Sequence, residues 1–181
     1  VTAKASKSYL PTNNEKLRPR TIASVAQTKV ERLATGIREF DRVLGGGVVP
    51  GSLVLLGGTP GIGKSTILLD AGLRFGQQGI KVLYVSGEES EEQTAMRAVR
   101  LGGAQANDNL LILTATDLDA ILAQANALKP QLLIIDSIQT MYNPELQTAA
   151  GSVGQVRECT AKLLQFAKST GIAVLLIGHV T

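Results

Sequence analysis

The run Gly58-Thr59-Pro60-Gly61-Ile62-Gly63-Lys64-Ser65 constrains this chain more than any other feature. It is a glycine, four residues and then Gly-Lys-Ser, preceded by a β-rich stretch over Ser52–Leu56 and followed by an amphipathic helical run from Lys64 to about Gln77. In that setting the pattern reads as a loop that wraps a phosphate between a strand and a helix. Glycines allow the tight turn and bring backbone N–H groups onto phosphate oxygens where a side chain would clash. The helix opening at Lys64 adds its dipole and unpaired N–H groups to the same anion site. The whole stretch Gly58, Thr59, Pro60, Gly61, Ile62, Gly63, Lys64, Ser65 and Thr66 is therefore the expected nucleotide cradle. Lys64 supplies charge for the β- and γ-phosphates of a nucleotide, and the Ser65 hydroxyl is placed to coordinate Mg²⁺.

The rest of the chain fits the same architecture. Further strands are predicted at Lys81–Ser86, Leu110–Leu113, Leu132–Ile135 and Ala173–Ile177. Between them lie helices from Ser90 to Leu101, with Gln93 as capping-box partner, over Leu118–Leu128, and from Ser152 to Gly171. In the last of these Val153, Val156, Thr160, Leu163, Leu164 and Ala167 form the predicted buried face. Alternating strands and helices, with only 3% aromatic residues and 19 glycines, predict an α/β domain: a doubly wound, mainly parallel sheet with flanking helices. Asp136 stands at the C-terminal end of the apolar strand Leu132–Ile135, where ligands bind in such sheets, and reads as a second metal-shell oxygen beside Ser65.

Charge and cysteine content narrow the setting. Residues 1–30 hold six basic residues against Glu15, a net +5, which leaves −2 for the remainder. They read as a basic, flexible leader, and residues 31–181 as the nucleotide-binding core. Cys159 is the only cysteine, which excludes a disulfide framework or a four-cysteine zinc site within the chain and fits a reducing, cytoplasmic compartment. The expectation is a protein with no membrane span and no signal peptide.

Missing motifs sort the remaining nucleotide-hydrolase classes. There is no Asn-Lys-x-Asp for reading guanine and no Leu-Ser-Gly-Gly-Gln signature, and Ser137 occupies the position after Asp136 where many ATPases carry a catalytic glutamate. The water-activating carboxylate must come from elsewhere. Glu88, in Ser86-Gly87-Glu88-Glu89 after the second strand, is the candidate general base. The competing reading is that Glu88 and Glu89 merely favour a helix N-terminus.

A glutamate after the strand that follows the phosphate loop resembles the arrangement of RecA/DnaB/KaiC-like ATPases. The blocks Thr35–Gly47, Pro60–Thr66, Tyr84–Ser90, Asp136–Met141 and Val156–Thr160 together resemble the bacterial RadA (Sms) family over about residues 30–181. That resemblance implies a RecA-like P-loop fold and a Mg²⁺-dependent ATPase of DNA repair and recombination. Such an enzyme, similar to DnaB-type helicases, acts on single-stranded DNA in recombination intermediates to drive branch migration, as a homo-oligomeric ring, a hexamer, with a recombinase as a further partner. It implies that His179, at the end of the last strand, faces the γ-phosphate and senses its loss. It also implies that the loop Thr140–Gly151 faces DNA, although this loop holds no Lys or Arg and has only backbone, hydroxyls, Asn143 and Gln147 to offer phosphates. Tyr142 is either a base-stacking or a packing residue, Cys159 an ordinary helix residue, and Arg157 faces either solvent or a neighbouring subunit. Members of the family also carry a four-cysteine zinc module and a Lon-like domain, expected to be absent here, and they take a positive finger from the next subunit, so weak intrinsic turnover is expected. The alternative is a KaiC-like regulatory nucleotide-binding module with slow hydrolysis and no DNA coupling.

Overall fold

The structure is a computed structural model, and it describes residues 19, 21–26, 31–103 and 108–179. Most of the predicted leader lies outside these residues; the described part of it includes a short helix, α1 (Ile22–Ala26). A second short helix, α2 (Arg38–Val43), precedes the sheet. The five strands are β1 (Leu53–Gly58), β2 (Val82–Ser86), β3 (Leu110–Thr114), β4 (Leu132–Asp136) and β5 (Ala173–His179). They form one sheet in the order β1-β5-β4-β2-β3, and every pairing is parallel. The connecting helices are α3 (Lys64–Gln77), α4 (Glu91–Ala98), α5 (Leu118–Leu128) and α6 (Val153–Thr170).

Alternate residues of each central strand feed two cores, as a sheet covered on both faces requires. Val82, Tyr84, Leu132, Ile134, Leu175 and Ile177 pack with Leu68, Leu69 and Phe75 of α3. Leu83, Val85, Leu133, Ile135 and Leu176 pack with Ile121 of α5 and with Cys159 and Leu163 of α6. The sheet is thus doubly wound. Among the described residues no helix is long and apolar enough to cross a membrane.

Strand pairing carries two strands further than their apolar runs suggest. β1 and β5 remain in register as far as Gly57↔Gly178 and Gly58↔His179, so the sheet itself delivers the start of the phosphate loop and His179 to one edge. The predicted capping box at α4 is present. Gln93 N–H donates to Ser90 Oγ at 3.3 Å and Ser90 N–H donates to Gln93 Oε1 at 3.0 Å, so the register of α4 is set at its first turn.

The face of α6 matches the prediction in part: Leu163 and Ala167 are buried and Val156 and Thr160 are half-buried. Val153 and Leu164 are exposed, and the buried positions are Gln155, Cys159, Leu163, Phe166 and Ala167. The reason is a polar residue in a core position. Gln155 is fully buried and turns its amide onto the preceding loop: its Oε1 accepts from Asn143 N–H at 2.8 Å, and its Nε2 donates to the carbonyls of Thr148 at 2.8 Å and Asn143 at 3.3 Å. A reading that looks for apolar residues alone misses Gln155 and places Val153 and Leu164 on the buried face.

Candidate active site

The phosphate loop follows β1 directly. Gly61 and Gly63 take positive φ values of 77° and 96°, a region that side chains with a Cβ rarely enter. Gly63 is the N-cap of α3 and has no capping side chain, so the first N–H groups of α3 point into the loop without a side-chain acceptor. Lys64 is buried, and its Nζ donates to the carbonyls of Gly58 and Thr59, both at 2.8 Å. The ammonium is thereby parked at the floor of the loop. His179 Nδ1 lies 3.3 Å from the same Nζ.

β5 lies between β1 and β4, so the ends of the loop strand, of β5 and of β4 are neighbours along one edge. Asp136, the last residue of β4, accepts from Ser65 Oγ through Oδ1 at 3.0 Å. Glu88 stands on the adjoining loop after β2. It accepts from Ser137 Oγ at 3.4 Å and lies 4.0 Å from His179 Nε2, with 59% of its side chain exposed. Close packing holds that loop: a Cβ added to Gly87 would lie 2.0 Å from Thr140 Oγ1, so only glycine fits between the end of β2 and the turn after β4. The result is an open cleft of about 340 Å³ lined by Pro60, Gly61, Gly63, Lys64, Ser65 and Thr66 together with Glu88, Arg97 and His179. The structure therefore brings Lys64, Ser65, Asp136, Glu88 and His179 to one place from four separate stretches of chain.

The neighbouring carboxylate has a different fate. Glu89 Oε2 lies 3.0 Å from Arg97 Nη2, an ion pair that ties it to α4. The first turn of α4 holds Glu91 and Glu92 behind the Ser90 cap, so those residues, three and four positions beyond Glu88, meet the helix dipole.

Two site residues escaped the sequence reading. Arg97 reaches from α4 to the cleft wall, 3.7 Å from Asp136 Oδ2, and donates to the Tyr84 hydroxyl at 3.2 Å. Tyr84, fully buried on β2, donates to Asp136 Oδ2 at 2.5 Å. Burial, and then the adjacent Asp136, push the Tyr84 hydroxyl far above its ordinary range, so it is a neutral donor. A lone tyrosine in an otherwise aliphatic buried strand was the available signal, because a buried phenol needs a partner.

Other expectations resolve on the same loop. Asn143 is buried and its Oδ1 accepts from Lys162 Nζ at 3.0 Å, whereas Gln147 and Tyr142 are exposed. Arg157 is exposed and Cys159 is a fully buried core residue.

Ser65 and Asp136 supply a hydroxyl and one carboxylate, both hard oxygen donors. This suits Mg²⁺, which is usually held by one or two carboxylates and substrate phosphates rather than by a protein cage. Among the described residues no group of three or more His, Cys, Asp or Glu is arranged to hold a metal.

The family model described as AAA domain matches residues 18–181. The chain is 49% identical over 181 residues, all of this chain, to the DNA repair protein RadA of Halalkalibacterium halodurans, of which it covers 39%. It is 50% identical over 167 residues, 92% of this chain, to the DNA repair protein RadA of Streptococcus pneumoniae, again covering 39% of that protein. With the DNA repair protein RadA of Escherichia coli the identity is 50% over 160 residues, 88% of this chain and 34% of the relative. The chain thus spans between a third and two fifths of the length of these relatives. With a phosphate loop on β1, an acidic residue closing β4 and a match over residues 18–181, the chain belongs to the AAA domain family and has the P-loop ATPase core found in RadA proteins.

Proposed function

We propose that the cleft binds ATP with Mg²⁺ and hydrolyses it, and that the chain is the motor core of a DNA repair and recombination protein. The observation that carries this reading is the convergence of Lys64, Ser65 and Glu88 on one open cleft at the C-terminal edge of the sheet, with Asp136 hydrogen-bonded to Ser65 beside it. Backbone N–H groups of the loop and Lys64 bind the phosphates, with Lys64 leaving its carbonyl partners for the β- and γ-phosphate oxygens. Ser65 and Asp136 hold Mg²⁺, whose chemistry is to neutralise charge on those oxygens. Glu88 orients the attacking water and takes its proton. It suits that role better than Glu89, whose charge is engaged by Arg97. His179, between Lys64 and Glu88, responds to the γ-phosphate.

The names of the relatives favour DNA repair as the process. On that basis the substrate is single-stranded DNA in recombination intermediates, the activity is branch migration by a DnaB-like motor, the assembly is a hexameric ring with a recombinase partner, and the location is the cytoplasm. One observation favours the regulatory alternative: the loop after β4 has no lysine or arginine, and its Asn143 is buried. Nucleotide occupancy would then drive assembly without DNA coupling. ATP turnover measured with and without single-stranded DNA separates the two. Stimulation by DNA supports the motor, and binding with slow, DNA-indifferent turnover supports the regulator.

A further inference from the structure

Asp136 is gripped on both oxygens, and only one grip has been given a use. Oδ1 accepts from Ser65 beside the cleft, whereas Oδ2 accepts from Tyr84 behind it. Tyr84 in turn accepts from Arg97 Nη2 at 3.2 Å. A guanidinium can only donate, and a phenol has a single proton. With Arg97 donating to the phenol oxygen, the Tyr84 proton is left for Asp136. The chain of donors therefore runs one way, from Arg97 through Tyr84 to Oδ2.

Each member sits on a rigid support. Tyr84 lies in the middle of a fully buried strand, and Arg97 is on α4, whose register the Ser90–Gln93 box sets and whose ion pair with Glu89 holds the guanidinium on the side of Tyr84. Arg97 Nε is buried without a hydrogen-bond partner. An unpaired buried donor is costly for stability, so packing alone is a poor reason for an arginine here.

We infer that Tyr84 and Arg97 are positioning residues for Asp136: together they lock its carboxylate so that Oδ1, next to Ser65, is presented to a divalent cation arriving with the nucleotide. This rests on the metal–nucleotide reading proposed above. Groups that orient a metal-binding side chain from behind typically change metal affinity 10- to 100-fold when removed, which is about the effect expected here.

The test is binding of a fluorescent ADP analogue to the whole chain, titrated with Mg²⁺ and repeated in EDTA, with Mn²⁺ electron paramagnetic resonance as a direct count of bound metal. Tyr84→Phe is the decisive variant, because it keeps the ring and does not line the cleft; a thermal melt checks its fold. The expected result is a Mg²⁺ requirement raised roughly 10-fold or more, with unchanged affinity in EDTA. Arg97→Ala should move the Mg²⁺ requirement the same way, and the double variant should be no worse than the stronger single one, as members of one chain behave. An unchanged metal requirement in Tyr84→Phe, an equal loss in EDTA, or tighter metal binding in Arg97→Ala would overturn the inference. If the unaltered chain shows no metal-dependent nucleotide binding, the nucleotide reading itself fails and takes this one with it.

Discussion

Lys64 shows how one residue can be legible in part. Its place in the Gly-Lys-Ser run announces a phosphate ligand, but its contacts with the Gly58 and Thr59 carbonyls, which hold a buried ammonium in readiness, come from the folded loop. Lys64→Ala should abolish ATP binding by calorimetry and leave the fold intact, because those two carbonyls lie at an open cleft where water can replace the amine. His179→Ala with binding retained should alter turnover or its coupling to DNA; unchanged values of both would remove His179 from the mechanism. Glu88, Asp136 and Ser65 were readable from strand ends and motif spacing. Arg97 and Tyr84 were not, since their meaning lies in a contact between a helix and two strands that no spacing along the chain expresses. Cys159 yields a pH prediction. Burial raises its thiol from an ordinary 9.0 to about 11. The unfolded thiol ionises first, so the stability it contributes is intact below pH 9 and is lost as pH rises toward 11. Urea midpoints between pH 8 and pH 10.5 should therefore fall more steeply for the native chain than for Cys159→Ala, which removes the thiol and leaves any contribution of Tyr84 in both.

At the scale of elements, α6 and the loop before it form one unit. Gln155 pairs the Asn143 N–H and the Thr148 carbonyl, so Gln155→Leu, similar in size, leaves loop backbone groups unpaired. Each such group costs about 1–3 kcal/mol. In a chain of this size each kcal/mol corresponds to roughly 2–4 °C in Tm; a melt within 2 °C of the native chain would show that the loop does not depend on Gln155. The same contact explains why the buried face of α6 was read only in part: hydrophobic periodicity assigns a glutamine to solvent, and here its amide satisfies loop backbone groups from inside the core. The capped start of α4 was legible for the opposite reason, since Ser90 and Gln93 act within one turn. Strand ends fell between these cases. Apolar runs locate the strands, and pairing with a neighbour decides that β1 and β5 extend to Gly58 and His179.

On the scale of the molecule, the order β1-β5-β4-β2-β3 is what turns scattered residues into a site, because it sets the phosphate loop, His179, Asp136 and Glu88 along one edge. The alternation of strands and helices made the doubly wound class readable, whereas periodicity along the chain does not express the order within the sheet. If the assembled protein grips single-stranded DNA by its phosphates, the logarithm of its affinity should fall linearly with the logarithm of salt concentration, with a slope of about −0.7 per neutralised phosphate. A salt-independent affinity would point to stacking, for which the exposed Tyr142 is available. The most direct measurement is Mg²⁺-ATP turnover by this chain, with and without single-stranded DNA, beside Glu88→Gln. The account predicts weak turnover that rises with DNA and is abolished by Glu88→Gln while ATP binding persists; turnover indifferent to Glu88→Gln would contradict it.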